Sequence, residues 1–212
     1  MTEQHPLWKS QLQNGLDQMA ISINNQQQAL LLDYLALLLK WNSAFNLTAV
    51  RDPEEMVSRQ LLDSLSILNL ISGERVLDVG TGPGLPGIPL AIVRPDVHFT
   101  LLDSNGKKTR FVQQAKTALD LPNVDVVNGR VESYRSEERF DTVTARAFAA
   151  LPKMVDLTSH LIAEQGQLLA MKGTVPHDEI AEIEQQDYKV RVTPLQVPDT
   201  EGERHAIVLT RS

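Results

Sequence analysis

Residues 76–92 read VLDVGTGPGLPGIPLAI, which predicts a strand, a glycine turn and a helix in direct succession. The apolar residues that open the stretch favour a buried strand, and Gly80, Gly82 and Gly84 then permit backbone conformations that other residues avoid. Pro86 suits the first turn of a helix, where its missing N–H costs little. The free amides of that helix end face the turn, so the stretch predicts a nucleotide-binding loop.

The glycine spacing alone leaves the identity of the nucleotide open. Gly82, Gly84 and Gly87 form a literal G-x-G-x-x-G, the dinucleotide fingerprint, and Asp103 follows at the distance of a ribose-binding carboxylate. Asp78, however, lies two residues before the first glycine, where a carboxylate repels a diphosphate. It suits S-adenosylmethionine, which carries an ammonium group and a sulfonium but no phosphate. We therefore favour a methyl donor over NAD; the alternative is a buried aspartate that caps its own turn.

Composition and the N-terminal sequence limit the classes of protein to which this chain can belong. The 212 residues are 42% hydrophobic, which predicts one main domain, residues 73–212, with an N-terminal helical cap, residues 1–72, packed on it. The N-terminus lacks a basic start, no apolar run reaches membrane-spanning length, and cysteine is absent. We expect a cytoplasmic protein with no membrane partner, no thiolate metal site and no cysteine-based catalysis.

Charge is unevenly distributed along the chain. The net charge of −7 argues against a nucleic-acid partner, but residues 176–203 account for six of the seven net negative charges. Elsewhere basic residues gather at Lys107, Lys108 and Arg110, and again between residues 130 and 146. Two interpretations stay open, a basic face for RNA and ordinary solvated charges on helices and loops.

Apolar periodicity predicts the architecture. Before the glycine turn, residues 7–19, 29–41 and 56–71 have helical spacing, and after it strand and helix patterns alternate, which predicts a parallel sheet with helices on both faces. The last two predicted strands, residues 188–197 and 205–211, are joined by a loop too short for a helical crossover, so they form an antiparallel hairpin. The expected fold is α/β, a Rossmann-like class I S-adenosylmethionine-dependent methyltransferase with a mainly parallel seven-stranded sheet.

Several short motifs, taken together with the glycine turn, are similar to one known family. They are NLTAV (46–50), LLDSL (61–65), LLDSNGKKTRF (101–111), GRVE (129–132), TARA (144–147) and MKG (171–173). From Asn46 to His205 the chain resembles the bacterial RsmG family, also called GidB, which methylates N7 of a guanine in small-subunit (16S) ribosomal RNA. The resemblance implies S-adenosyl-L-methionine as cofactor, 16S rRNA within the small subunit or an assembly intermediate as partner, and a monomeric enzyme.

The resemblance also carries cofactor contacts over to particular positions. They are Gly80, Leu85, Val131, Glu132 and Arg146, which join Asp78, Gly82, Gly84 and Asp103 in the expected cofactor-binding set. In that set Asp103 accepts hydrogen bonds from ribose hydroxyls, and Val131 packs beside the adenine. Glu132 has a second interpretation, a carboxylate attracted to the start of a helix.

Chemistry at guanine N7 limits what the remaining residues must do. N7 has an exposed lone pair and no proton to lose, so we expect no general base and no metal site. Placement of the two reactants is then the main contribution of the protein to the reaction rate. Arg146 is the candidate catalytic residue, acting by orientation; it either orients the cofactor carboxylate or contacts the target nucleotide. The resemblance implies that Lys172 and Arg204 bind RNA phosphate or orient the base, and with Lys107 they are the candidate RNA-binding residues.

The N-terminal part of the chain holds two further features. Trp41 and Phe45 either stack on an extruded base or pack into the core. Arg59 and Asp63 lie four residues apart on a predicted helix, so a surface or interdomain pairing would explain them without a role in the chemistry. Two rival functions also stay open, an NAD-dependent oxidoreductase and a ribosome-assembly factor that binds RNA on a methyltransferase fold without catalysis.

Overall fold

A single seven-stranded sheet is the centre of the computed structural model, which describes residues 6–212. Its strand order is β3-β2-β1-β4-β5-β7-β6. The strands are β1 (Arg75–Val79), β2 (His98–Asp103), β3 (Val124–Asn128), β4 (Phe140–Arg146), β5 (Ile162–Lys172), β6 (Tyr188–Pro194) and β7 (His205–Arg211). Strands β1 to β5 pair in parallel, and β7 is antiparallel to both β5 and β6. The predicted mainly parallel sheet with a terminal antiparallel hairpin is confirmed.

Helices precede the sheet and connect its strands. They are α1 (Pro6–Gln18), α2 (Asn25–Phe45), α3 (Pro53–Met56), α4 (Asp63–Leu65), α5 (Gly87–Val93), α6 (Gly106–Ala118), α7 (Leu151–Thr158) and α8 (His177–Glu184). Helical spacing in the sequence runs from residue 151 to residue 162 and predicts one helix there, but α7 ends at Thr158, and Ile162 pairs with Phe140 and opens β5. A short apolar run is compatible with the end of a helix and with a strand, and here it forms the start of a strand. Within the described residues, no helix combines the length and apolar character needed to cross a membrane.

The single regular helix predicted over residues 56–71 is wrong. Between α3 and α4 the chain forms a π-helical turn, Val57–Leu62, and a 3-10 turn, Leu68–Leu70, follows α4. The Asp63 amide donates to the Ser58 carbonyl, five residues back, which widens the helix at this point. Such π turns occur often at functional sites, and this one leads directly to Asp63.

The cap and the sheet are held together by a shared hydrophobic core. Buried residues of the N-terminal helices, such as Leu31 and Leu35, belong to the same cluster as Phe99 of β2 and Phe111 of α6. A second cluster lies around α7 and the C-terminal strands. The N-terminal helices bury their apolar side mainly against α5 and α6, the helices that pack on β2 and β3, while the boundary between residues 72 and 73 stays a prediction.

Candidate functional site

The glycine turn lies at the C-terminal end of β1. The amides of Gly80 and Thr81 both donate to the Leu102 carbonyl of β2, at 2.8 and 3.1 Å, which ties the turn to the neighbouring strand. Gly80, Gly82 and Gly84 have φ angles of 68°, 60° and 96°, in the left-handed region that favours glycine. The backbone path of the turn therefore requires glycine at these positions.

The glycines differ in what surrounds them. A Cβ at Gly87 would overlap the Leu101 side chain of β2, so Gly87 allows α5 to approach the sheet closely, whereas a Cβ at Gly84 would lie 2.6 Å from Ile88 Cγ1 within α5. Gly82 has open space, with Lys108 Nζ the nearest side-chain atom at 3.9 Å. A Cβ at Gly80 would lie 2.7 Å from the Phe148 ring. Gly84 thus serves the packing of α5, whereas Gly80 faces the opening beyond the strand.

Asp78 is fully buried beneath the turn. Its Oδ2 accepts hydrogen bonds from the Thr81 hydroxyl at 2.6 Å and the Gly87 amide at 2.9 Å, whereas its Oδ1 has no partner in the described part of the chain. Burial, the largest cause, raises the pKa of this carboxyl to about 6. One oxygen therefore caps the turn, as the alternative interpretation expects, and the other is a buried acceptor without a partner in the described part of the chain.

A first cleft of about 300 Å³ opens at the C-terminal ends of the strands. It is lined by Val79, Gly80, Leu102, Asp103, Ser104, Gly129, Arg130, Val131, Glu132, Ala147 and Phe148. Four of the predicted cofactor-binding residues are thus brought together: Gly80, Asp103, Val131 and Glu132. The other five, Asp78, Gly82, Gly84, Leu85 and Arg146, do not line it.

The carboxylates of the first cleft are differently engaged. Asp103 accepts from the Gly82 amide at 2.9 Å and from the Asn105 amide at 2.7 Å, one on each oxygen, and each oxygen keeps a lone pair for a ligand. Glu132 is exposed and lies in a turn, because residues 129–139 form no helix. The interpretation of Glu132 as a helix-start carboxylate is therefore wrong, and its side chain is available to the cleft.

A second cleft, of about 350 Å³, lies beside the first and is closed on one side by the N-terminal cap. Its lining is Val50, Arg59, Gln60, Asp63, Arg146, Ala147, Met171, Lys172, Gly173, Leu195 and Arg204. Arg146, Lys172 and Arg204 thus come together here, whereas Lys107, exposed at the start of α6, lines neither cleft. Ala147 lines both clefts and has a φ of 51°, uncommon for a residue with a Cβ.

Arg146 is held by the cap. Its guanidinium donates to Asp63 Oδ2 at 2.9 Å, to Gln60 Oε1 at 3.2 Å and to the Arg59 carbonyl at 3.3 Å. Arg204 reaches the other oxygen of Asp63, with Nε at 3.4 Å. Of the two pairings expected for Arg59 and Asp63, Asp63 forms the interdomain one with Arg146, and Arg59 forms a surface pair with Glu55 at 2.8 Å.

The other candidate RNA-binding residue of this cleft also has protein partners. Lys172 Nζ donates to the Ala149 carbonyl at 2.9 Å and to Glu179 Oε2 at 3.2 Å. The same Glu179 oxygen accepts from the Leu151 amide at 2.6 Å. Glu179 belongs to the acidic C-terminal segment. One of the negative charges of that segment therefore pairs with Lys172 and fixes the position of its side chain.

Two aromatic residues of the cap have different surroundings. The Trp41 ring lies 5.8 Å from the Phe111 ring and 5.3 Å from the Phe45 ring, and Trp41 packs against the core. Phe45 is 45% exposed. Core packing therefore accounts for Trp41, and Phe45 keeps an accessible ring face.

Sequence reasoning missed the residues of the cap that complete the second cleft. Asp63 and Gln60 contact Arg146, but the sequence predicts only an unspecified surface or interdomain pairing for Asp63 and no role for Gln60. The only signal was the motif LLDSL, which places an acidic residue among the apolar positions of a helix. A buried carboxylate requires a partner, although the sequence does not say which.

The sheet order, the terminal hairpin and the glycine turn define the class I S-adenosylmethionine-dependent methyltransferase fold. Solved structures with this fold include the glycopeptide N-methyltransferase MtfA in complex with S-adenosyl-L-methionine, with a TM-score of 0.62 and 10% identity over 72% of this chain and 87% of that chain. Another is a methyltransferase from Thiobacillus denitrificans in complex with S-adenosyl-L-homocysteine, with a TM-score of 0.56 and 15% identity over 81% of this chain and 96% of that chain.

The family is narrower than the fold. A family model described as GidB, rRNA small subunit methyltransferase G, matches residues 27–208. The chain is 50% identical to ribosomal RNA small subunit methyltransferase G of Marinobacter nauticus over 98% of this chain and 97% of that protein, and 49% identical to that of Ectopseudomonas mendocina over 100% and 99%. The chain belongs to the GidB family, which confirms the predicted family, enzyme class and S-adenosylmethionine cofactor.

Proposed function

We propose that this chain transfers a methyl group from S-adenosyl-L-methionine to N7 of a guanine in 16S rRNA, within the small ribosomal subunit or an assembly intermediate. In this proposal the enzyme acts as a cytoplasmic monomer. One observation carries the proposal: two clefts of opposite charge adjoin each other and share Ala147 as a wall.

The charges of the two clefts fit the two reactants. The first cleft has two acidic residues, Asp103 and Glu132, against one base, Arg130. This balance suits a cationic donor with ribose hydroxyls and disfavours a diphosphate. The second cleft has four cationic residues against Asp63, although the chain as a whole has a net charge of −7. A concentration of positive charge in an acidic protein suits a polyanion such as RNA.

The residues of the first cleft fit the cofactor. Asp103 and Glu132 offer carboxylate oxygens to ribose hydroxyls, Val131 supplies a buried apolar wall, and Gly80 leaves the backbone accessible. Asp78 lies outside the lining of this cleft, beneath the glycine turn, and its buried, unpaired Oδ1 is the acceptor that we propose for the ammonium group. When bound, S-adenosylmethionine supplies an electrophilic methyl group on a positively charged sulfur.

The main task of the protein is to place guanine N7 and the methyl donor in line with each other. The guanine N7 lone pair forms the new N–C bond while the C–S bond breaks and its electron pair stays on sulfur, so no proton has to be moved. Alignment of such reactants is worth on the order of 7 kcal/mol or more in favourable systems. Ala147 separates the two clefts, and Arg146 beside it orients the target nucleotide in this proposal.

Incubation with labelled S-adenosylmethionine and small subunits that lack the modification tests the proposal. We expect one labelled base in 16S rRNA, identified as 7-methylguanine by nuclease digestion and mass spectrometry. A different methylated base would contradict the N7 assignment, and binding of subunits without any transfer would favour the assembly-factor alternative. Thermal stabilisation by NAD but not by S-adenosylhomocysteine would favour an oxidoreductase.

Replacement of Gly80 by Ala is expected to weaken S-adenosylhomocysteine binding about tenfold, because the new Cβ clashes with the Phe148 ring at the mouth of the first cleft. The residue would also adopt a φ of 68°, which L side chains disfavour. Titration calorimetry measures the affinity, and thermal unfolding shows that the variant is folded.

Gly106→Ala is the matched control for this substitution. Its Cβ would meet nothing closer than Asn128 Oδ1 at 3.8 Å, and Gly106 does not line the first cleft. We expect its affinity for S-adenosylhomocysteine to equal that of the unaltered protein. Full affinity in a folded Gly80→Ala protein would show that Gly80 does not face the cofactor.

A further inference from the structure

We infer that Asp63 is a positioning residue for the second cleft: from the N-terminal cap it holds Arg146 and Arg204 in the arrangement that receives RNA. This inference rests on the proposed function, in which the second cleft takes the target nucleotide. Asp63 itself acts through the two arginines. Its role is to fix where their guanidinium groups lie.

The contact geometry joins three distant parts of the chain at one carboxylate. Asp63 Oδ2 accepts from Arg146 at the end of β4, 83 residues away, and Oδ1 lies 3.4 Å from Nε of Arg204, the residue just before β7. The Asp63 side chain is 10% exposed, against 25% for Arg146 and 27% for Arg204. Charge-assisted contacts this poorly exposed are weakly screened by solvent, so they fix side-chain positions better than surface pairs do.

The charge balance shows why this carboxylate matters more than others nearby. Two of the four cations in the second cleft are matched by acids outside its lining, Arg59 by Glu55 and Lys172 by Glu179. Arg146 and Arg204 share the single carboxylate of Asp63. The pair therefore keeps one excess positive charge, which is available to a phosphate, while Asp63 prevents the two guanidinium groups from repelling each other.

The π-helical turn supplies the second point of attachment. Gln60 lies within this turn, accepts from Arg146 through Oε1 and donates to the Thr48 hydroxyl at 2.9 Å through Nε2. The planar guanidinium of Arg146 is thus held at Asp63 and at Gln60, which leaves it little freedom to rotate. Gln60 and Asp63 lie three residues apart and both contact Arg146, so the two acceptors face the same side of the cap, and π turns are frequent at functional sites.

Replacement of Asp63 by Asn removes the charge but keeps one acceptor oxygen. With S-adenosylhomocysteine bound, we expect the affinity for unmethylated small subunits to fall about tenfold and the KM for subunits to rise by a similar factor, while S-adenosylhomocysteine affinity stays within twofold. Asp63→Glu, which retains the charge, is expected to recover part of the subunit affinity. A purely structural role would lower both affinities together and would not be rescued by charge.

Glu55→Gln is the matched control, because it removes one carboxylate from the same part of the cap. Its ion pair with Arg59 is about half exposed, so we expect subunit affinity within twofold of the unaltered protein. A double-mutant cycle with Arg204→Ala completes the test. If Asp63 acts through the arginines, Asp63→Asn costs less in that background than alone.

The outcomes separate this inference from the proposed function. Equal subunit affinity for the folded Asp63→Asn protein, or full additivity in the cycle, overturns the role of Asp63 even if the unaltered enzyme methylates guanine N7. Binding without methyl transfer by the unaltered protein overturns the proposed function, and the binding cycle still tests Asp63. No binding of subunits by the unaltered protein overturns both.

Discussion

Replacement of Asp78 by Asn is expected to weaken S-adenosylhomocysteine binding about a hundredfold and, at neutral pH, to raise the melting temperature of the cofactor-free protein. Affinity falls because the amide cannot give the ammonium group a charged partner. Stability rises because the substitution removes a buried charge: burial raises the pKa of this carboxyl to about 6, so its ionisation at neutral pH destabilises the folded protein. The same carboxylate therefore costs stability and serves binding.

The pH dependence of this stability effect has a definite sign. The folded-state pKa of Asp78 lies above the ordinary value of 3.8, so the folded protein binds the proton more tightly than the unfolded chain does. The penalty is complete above about pH 7 and disappears as the pH falls through 6 toward 3.8. The melting temperature advantage of Asp78→Asn, at about 2–4 °C per kcal/mol, should therefore be largest at pH 7–8 and shrink by pH 5.

Calorimetric titration and thermal unfolding between pH 5 and 8 measure the two effects. Asp141→Asn is the control, since Asp141 accepts from two backbone amides, of Glu74 and Arg75, at the opposite end of β1. That variant should bind S-adenosylhomocysteine normally. A folded Asp78→Asn protein with unchanged affinity would show that Asp78 only caps its turn.

The sequence predicts the fold well where the signal is local. Glycines at residues 80–84 are required by positive φ angles, and the short loop before β7 leaves a hairpin as the simplest connection. Gly80, Asp103, Val131 and Glu132 converge on one cleft because the carboxyl ends of parallel strands meet at one edge of the sheet. That convergence follows from topology, which alternating strand and helix patterns indicate.

The contacts of the second cleft cannot be predicted in this way, because they join residues that are far apart in the sequence. Helical spacing identifies Arg59 as a neighbour of Asp63, but the partner is Arg146, 83 residues away. The π-helical turn before Asp63 includes a hydrogen bond from the Asp63 amide to the Ser58 carbonyl, five residues back. Neither the amino-acid composition nor the apolar periodicity of the segment indicates such a bond. Sequence reasoning therefore finds the cations of this cleft and misses the residue that holds them.

Arg146→Lys is expected to lower kcat for methyl transfer to small subunits about a hundredfold and to leave S-adenosylhomocysteine affinity within threefold. Lysine keeps the charge, but its single ammonium cannot reproduce the planar fork that joins Asp63 and Gln60. A displacement of about 1 Å in a positioning group can cost this factor without any loss of reactant binding. Lysine is preferable to alanine because alanine removes a charged partner from poorly exposed Asp63.

The two roles that the sequence leaves open for Arg146 predict different results for this variant. Arg146 lines the second cleft and not the first, so an orienting role toward the nucleotide predicts a loss in kcat. A contact with the cofactor carboxylate predicts a parallel loss of S-adenosylhomocysteine affinity, which would contradict our placement of Arg146. Arg94→Lys is the matched control. Arg94, just after α5, forms a forked contact with Asp96, and neither residue lines either cleft. Normal kinetics for that variant would show that the loss at Arg146 comes from its position beside Ala147, since both substitutions exchange a forked guanidinium for an ammonium.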